Sequence, residues 1–575
     1  MTTTESTTGR GAILRSVIGI VLILAGGMLL PRPLTSLLVL LILVTALPAL
    51  AAAVIALRLR RRAAGPRVVL VAATGVIASV VLAVLFAGVA RVIPFVVAIA
   101  VVLGGVPPLL LHRLSGGAAR AWSRSLGALA CVAVGVSCWM WQDLTAVAAG
   151  FLTALGLICL GILAIVRAFR RARVAGARWR RSWVGVVRVI GAVTAAVVAV
   201  GLTAASFAVL APTHRADDFY EFSGDIPSVP GTVVRTEPYD GEVPVGAAAL
   251  RILYSSTYSD GHPALVSAVV EYPLTDAEDG SRTVLAWEHG TTGVAQECAP
   301  SLLDNALSEE AIPGIGRAIA NGWVVVATDY PGQGTSGRYP YLIGEGEGRA
   351  ALDAARAVVH IEDARASSEV LLWGHSQGGH AALWAGQIAE SYAPELHVRG
   401  VAALSAAADP LTEARTVVSA GSAISSVATP YMLVPYADEY PDIEFSAVVH
   451  PAGTAIVDAM ASRCAVDSTM LASVLSASAV AHDAPLFALD LESGPIAERL
   501  GRNIADGIVP APLFLGQGVD DEVIPISMQR ALAASLNEAG RDVEVREYEG
   551  RSHMGVVAAG SPLIDDLFAW AASLD

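Results

Sequence analysis

Lysine is absent from these 575 residues, and all 38 basic side chains are arginine. Acidic residues are almost missing from the first 211 positions, where only Glu5 and Asp143 occur out of 52 in the chain. Charged residues make up only 16%, too few for an ordinary soluble protein, whereas 54% hydrophobic content is too mixed for a pure membrane protein. These scarcities divide the chain. Twenty arginines against two acidic residues give residues 1–211 a formal charge of about +18, and eighteen against fifty give the remainder about −32. So acidic a C-terminal part repels phosphate backbones, which argues against a nucleic-acid partner. Cysteines number five. No cluster has metal-ligand spacing and no glycine-rich phosphate loop occurs, so neither metal nor cofactor is expected.

The arginines of the first part sit in short clusters between apolar runs. A segment crossing hydrocarbon must pair its own backbone groups, which takes roughly 20 apolar residues in helix. That rule predicts spans at 13–30, 34–57, 68–90, 92–111, 125–141, 146–166 and 189–211. Arg10 and Arg15 precede the first. Arg58, Arg60, Arg61, Arg62 and Arg67 separate the second from the third, and Arg113, Arg120 and Arg124 the fourth from the fifth. Eight arginines, from Arg167 to Arg188, precede the seventh, while the alternate loops hold only Arg32 and Arg91. Arginine-rich loops stay cytoplasmic, so the N-terminus is expected inside and the C-terminal part outside, in a multi-pass plasma-membrane protein. A cleaved signal peptide would explain the first run, but not the six after it. Ionisable residues are nearly absent from the spans, so anchoring is the default role.

Beyond Ala211 the texture changes. Residues 212–245 read as a linker leading into a domain over 246–575. Strand-like runs follow at Leu250–Tyr254, Leu265–Tyr272, Thr283–Trp287, Trp323–Thr328, Val370–Trp373, Val401–Leu404, Leu513–Leu515 and Val543–Tyr548. Helical patterns separate several of them, which predicts an α/β fold: a mostly parallel sheet with helices on both faces. The alternation breaks over about 410–508, which reads as a helical cap. The whole is thus an α/β domain preceded by an all-α transmembrane bundle.

The chemistry concentrates at Val370–His380, where an apolar strand runs into Gly374-His375-Ser376-Gln377-Gly378 and then a helix. This is the nucleophile elbow of α/β hydrolases, a turn so tight that glycines must flank the serine. Serine is a weak nucleophile without a base, and the base needs a carboxylate to orient it. In this fold the order along the chain is nucleophile, acid, base. Gly518-Val519-Asp520-Asp521-Glu522-Val523-Ile524-Pro525 supplies the acid. Asp521 is preferred by its spacing to Pro525, with Asp520 the alternative. His553 is the only histidine after it. His375, His380 and His289 are expected to be structural. The oxyanion donors are expected to be the backbone amides of Gln377 and of Thr291, which follows Trp287-Glu288-His289-Gly290.

The chain at this point resembles the secretory lipase family. The resemblance rests on Trp287–Gly293, Cys298-Ala299-Pro300-Ser301, Ala327–Gly334 and Gly374–Trp384, and covers about residues 245–575. It implies a carboxylic-ester hydrolase acting on acylglycerols or other lipid esters beneath a helical cap, and its triad maps onto Ser376, Asp521 and His553. The N-terminal spans depart from a simple secretion signal. Cys131, Cys138 and Cys159 lie in predicted spans, whereas Cys298 and Cys464 lie where an oxidising compartment permits a disulfide. Two other readings compete: a peptidase or amidase on the same fold, since fold and triad do not fix the leaving group, and a non-enzymatic sensor or transporter with a vestigial hydrolase domain.

Overall fold

The computed structural model describes residues 5–40, 93–110, 118–169, 180–210, 215–483, 485–541 and 543–574; the predicted span 68–90 and most of 34–57 lie outside them. The chain forms two compact units.

The larger unit holds residues 212–445, 460–470 and 489–575. Its centre is a nine-stranded sheet: β1 (Val233–Pro238), β2 (Ala247–Thr257), β3 (Pro263–Pro273), β4 (Arg282–Glu288), β5 (Val324–Thr328), β6 (Ala366–His375), β7 (His397–Leu404), β8 (Leu513–Gly518) and β9 (Val543–Tyr548). The spatial order is β1-β2-β3-β5-β4-β6-β7-β8-β9. The first three pairings are antiparallel and the rest, from β5–β4 to β8–β9, are parallel. Parallel strands covered on both faces should be apolar on both, and Val324–Val326 and Val370–Trp373 are buried at every position. One face packs against the helices Gly344–Val359 and Gln377–Tyr392; the other carries Trp323, Trp373, Phe568 and Trp570. This is the α/β-hydrolase fold expected from the sequence.

Strand β1 falls inside the segment read as a linker. That segment is ordered because Phe219 and Tyr220 bury themselves beside Leu253 and Leu265, with the Arg251 guanidinium over both rings. Its single pairing, with β2, leaves a short edge strand without the apolar alternation that would mark it in sequence.

The antiparallel β3 buries Glu271, and neither carboxyl oxygen has a hydrogen-bond partner among the described residues. Burial, with Glu309 adding like charge, pushes its pKa up to about 8. Unfolded, the same group releases its proton near 4.5. Between those values the native state holds a proton that the unfolded state has lost, so the contribution to stability falls as pH rises through the window. Glu271→Gln is expected to leave the thermal midpoint near that of the parent at pH 4.5 and to raise it at pH 8. A difference that does not change with pH would contradict this.

The smaller unit holds residues 1–211 together with 446–459 and 471–488, two pieces of the stretch between β7 and β8. Its long helices are Glu5–Leu29, Ile93–Leu110, Ala118–Met140, Gln142–Phe169 and Arg180–Leu210. Among the described residues, Trp122–Met140, Gln142–Phe169 and Val189–Leu210 are long and apolar enough to cross a membrane. Glycines let two of the long helices meet closely: a Cβ at Gly19 would stand 2.6 Å from the Gly161 carbonyl oxygen. Asp143 lies in the first turn of Gln142–Phe169, buried, and accepts a hydrogen bond from Ser476 Oγ. Asp483 likewise accepts from the Thr35 backbone N–H (3.1 Å) and hydroxyl (2.6 Å). The region read as one cap thus divides its helices between the two units.

Candidate active site

Four of the parallel strands, β4, β6, β8 and β9, deliver the candidate groups at their carboxyl ends. Strand β6 ends at His375, Ser376 turns the chain with φ 59° and ψ −118°, and the helix Gln377–Tyr392 begins immediately. This is a strained conformation for a residue with a Cβ, and it lifts Oγ off the strand end. The flanking glycines are required: a Cβ at Gly374 would run into the Gly378 carbonyl, and one at Gly378 into that of Glu288. The turn is fixed by Ser376 N–H donating to Leu404 O (2.9 Å) and by Ala407 N–H donating to Ser376 O (3.0 Å).

Ser376 Oγ lies 2.9 Å from His553 Nε2. His553 Nδ1 lies 2.8 Å from Asp521 Oδ2. A carboxylate can only accept, so Nδ1 carries the proton and Nε2 is left to accept from the serine. Asp521 also accepts from the amides of Val523 (2.9 Å) and Ile524 (2.7 Å) and from Gln517 Nε2 (3.0 Å). Burial alone would raise its pKa; the bond and charge of His553 and the two amides outweigh that and hold it below the ordinary aspartate value. Asp520 is exposed and uses its amide to bond Arg551 O (3.0 Å).

The other histidines take supporting places. His375 packs against His553 with the rings tilted and their centroids 4.6 Å apart, and its Nε2–H donates to the His553 carbonyl (3.0 Å). Burial, then the adjacent His553, lowers its pKa to about 3, so it stays neutral. Burial lowers that of His289 to about 4, and its Nε2 lies 3.5 Å from Asp329 O.

Sequence reasoning missed Glu347. This buried carboxylate accepts from the Leu342 amide (2.9 Å) and Gln377 Nε2 (2.8 Å), and lies 2.7 Å from His380 Nδ1. His380 Nε2 in turn lies 2.8 Å from the Asn503 carbonyl. The first turn of the nucleophile helix is thereby pinned from below. Only the pairing of an unexplained buried histidine with a distant glutamate could have pointed to it, and that pairing is long-range.

Thr291 lines the same cavity as Ser376, and its neighbour Gly290 sits where a Cβ would stand 3.5 Å from Ser376 Cβ. The loop after β4 is also tied covalently. Cys298 and Cys464 form a disulfide, and Ala465 N–H donates to Thr292 O (2.7 Å). The bridge closes a separation of 166 residues. Chain entropy gives an upper figure of about 5 kcal/mol for such a loop. Replacing both cysteines by serine is expected to lower the denaturation midpoint clearly while leaving the Ser376–His553–Asp521 geometry in place. An unchanged midpoint would show the bridge to be mechanically idle.

Among the described residues no group of three or more histidine, cysteine or acidic side chains could hold a metal ion.

Residues 305–570 match the family model described as secretory lipase. A "probable inactive lipase" of Mycobacterium tuberculosis is 28% identical over 204 residues, which is 33% of this chain and 45% of that protein. The chain thus spans less than half the length of this relative. The trichothecene C-3 esterase of Fusarium sporotrichioides is 25% identical over 342 residues, 55% of this chain and 73% of that protein. A crystal structure of Candida antarctica lipase A in its closed state aligns with a TM-score of 0.49 at 22% identity, covering 59% of this chain and 81% of the other.

Proposed function

From the premise that the C-terminal half is related to the secretory lipases, we propose that it is a serine carboxylic-ester hydrolase working through an acyl-enzyme. The observation that carries this reading is the unbroken series Ser376 Oγ, His553 Nε2, His553 Nδ1, Asp521 at 2.9 and 2.8 Å. Ser376 Oγ attacks the ester carbonyl carbon as His553 Nε2 takes its proton. The carbonyl oxygen becomes an oxyanion held by the amides of Gln377 and Thr291, and Asp521 stabilises the imidazolium. Collapse expels the alcohol, which takes the proton from His553. Water, deprotonated by the same imidazole, then attacks the acyl-enzyme; the acid departs and Ser376 recovers its proton.

The substrates are acylglycerols or other lipid or small esters, with the N-terminal helices anchoring the chain in a membrane. The arginine-rich loops favour an extracytoplasmic hydrolase. A vestigial domain is the second reading, favoured by the name of the mycobacterial relative. Nucleophile, base and acid hydrogen-bonded in series count against it here.

A membrane-impermeant fluorophosphonate added to intact cells tests activity and topology together. Ser376 is expected to be labelled without permeabilisation, and the labelled protein's source to hydrolyse acyl esters far faster than matched amides. Labelling only after permeabilisation would reverse the topology. No labelling would favour the vestigial domain, and faster amide cleavage a peptidase.

A further inference from the structure

The cavity that opens on Ser376 holds about 130 Å³ and is walled mainly by apolar side chains, among them Val417, Met432, Leu491 and Ile524. Six polar side chains also line it. Five have partners. Ser376 faces His553 (2.9 Å), Thr291 Oγ1 and the Tyr341 hydroxyl bond each other (2.9 Å), and Thr416 and Thr429 donate to the carbonyls of Thr412 and Ser425 (2.8 Å each). The sixth is Glu413, on the helix Pro410–Ala420, 9% exposed, with Oε1 lacking a hydrogen-bond partner among the described residues. A buried polar atom left unpaired is destabilising, and a plain alkyl chain in the cavity would not relieve it.

We propose that Glu413 is a specificity-determining residue, binding a hydroxyl or carbonyl oxygen carried by the acyl group of the ester that occupies this cavity. The inference rests on the esterase reading of the same site and narrows it. Burial, with Asp409 adding like charge, raises the pKa of the Glu413 carboxyl well above the usual range, which favours its protonated form. A neutral carboxylic acid both donates and accepts, and suits a hydroxyl or a carbonyl equally. It shares the cavity with Ser376 and with Thr291 and Tyr341, whose hydroxyls already bond each other. A site built to pair such an oxygen discriminates strongly against the analogue lacking it.

The test uses the full chain in detergent with umbelliferyl esters of hexanoic acid and of hexanoic acids hydroxylated at successive carbons. One hydroxylated ester is expected to exceed the plain one in kcat/KM by about tenfold or more. Glu413→Leu should bring that ratio to about one or below, and Glu413→Gln, which still donates and accepts, should keep most of it. The ratio is taken within one variant, so a loss of folded protein does not move it. Removing an unpaired buried acid should leave the thermal midpoint no lower. A wild-type ratio near one at every hydroxyl position, or a ratio unaltered in Glu413→Leu, overturns the inference while the fluorophosphonate still labels Ser376. Absence of both turnover and labelling overturns the esterase reading and this inference with it.

Discussion

Alanine at Ser376 is expected to cut ester hydrolysis by at least about a thousandfold, and alanine at His553 to do nearly as much, with the double variant hardly worse than either. The three groups act as one device: without Oγ there is no acyl-enzyme, and without Nε2 there is no acceptor for its proton. Losses that multiplied in the double variant would mean that the two residues work independently. The residual rate should come from the amides of Gln377 and Thr291, which neither substitution removes. Both variants should fold. Ser376→Ala keeps the Cβ and removes only Oγ, leaving the positive-φ turn as it is, and His553 sits in a loop beyond β9. A Ser376→Ala enzyme retaining more than a tenth of its activity would show that another nucleophile is at work.

Asparagine at Asp521 should cost roughly 10²- to 10⁴-fold in kcat/KM, and asparagine at Asp520 less than about twofold. Asp521 is buried and takes hydrogen bonds from His553 Nδ1, two amides and Gln517. An amide there would present a donor where the imidazole needs an acceptor, turning the ring to the wrong tautomer. Asp520 is exposed, so its change meets water. Its depressed pKa keeps Asp521 ionised well into acid. Asp521 therefore contributes stability above the ordinary aspartate pKa, and that contribution is lost as pH falls through the lower folded value. Steady-state kinetics of the two variants side by side settles the assignment, and a larger effect at 520 would reverse it.

Much of this was legible in the chain because short-range rules governed it. Eight of the nine strands announced themselves as short strand-like runs, most plainly β5 and β6, since strands buried on both faces leave little room for polar residues. Ser376 was legible because a strand-to-helix turn this tight admits few sequences, and His553 because no other histidine follows the acid loop. Choosing Asp521 over Asp520 rested on one interval to Pro525, and the observed bonds show why that interval matters: Ile524, just before the proline, folds its amide back onto the carboxylate. Long-range packing decided the rest. Glu347 and Glu413 read as ordinary helix-surface acids until other segments cover them, and β1 exists only because β2 offers an edge. Nothing local tells residues 446–459 and 471–488 that they group with helices hundreds of positions earlier.

That grouping bears on how the protein can be handled. The polypeptide changes unit five times, at 211/212, 445/446, 459/460, 470/471 and 488/489. Scissors placed at the junction near residue 212 would sever one of five threads. Ser476 and Asp483, bonded in the intact chain to Asp143 and Thr35, would travel with the excised part and lose those partners. Genetic excision should therefore yield a less stable fragment, whereas the same C-terminal part should keep its stability when purified with its helices still attached.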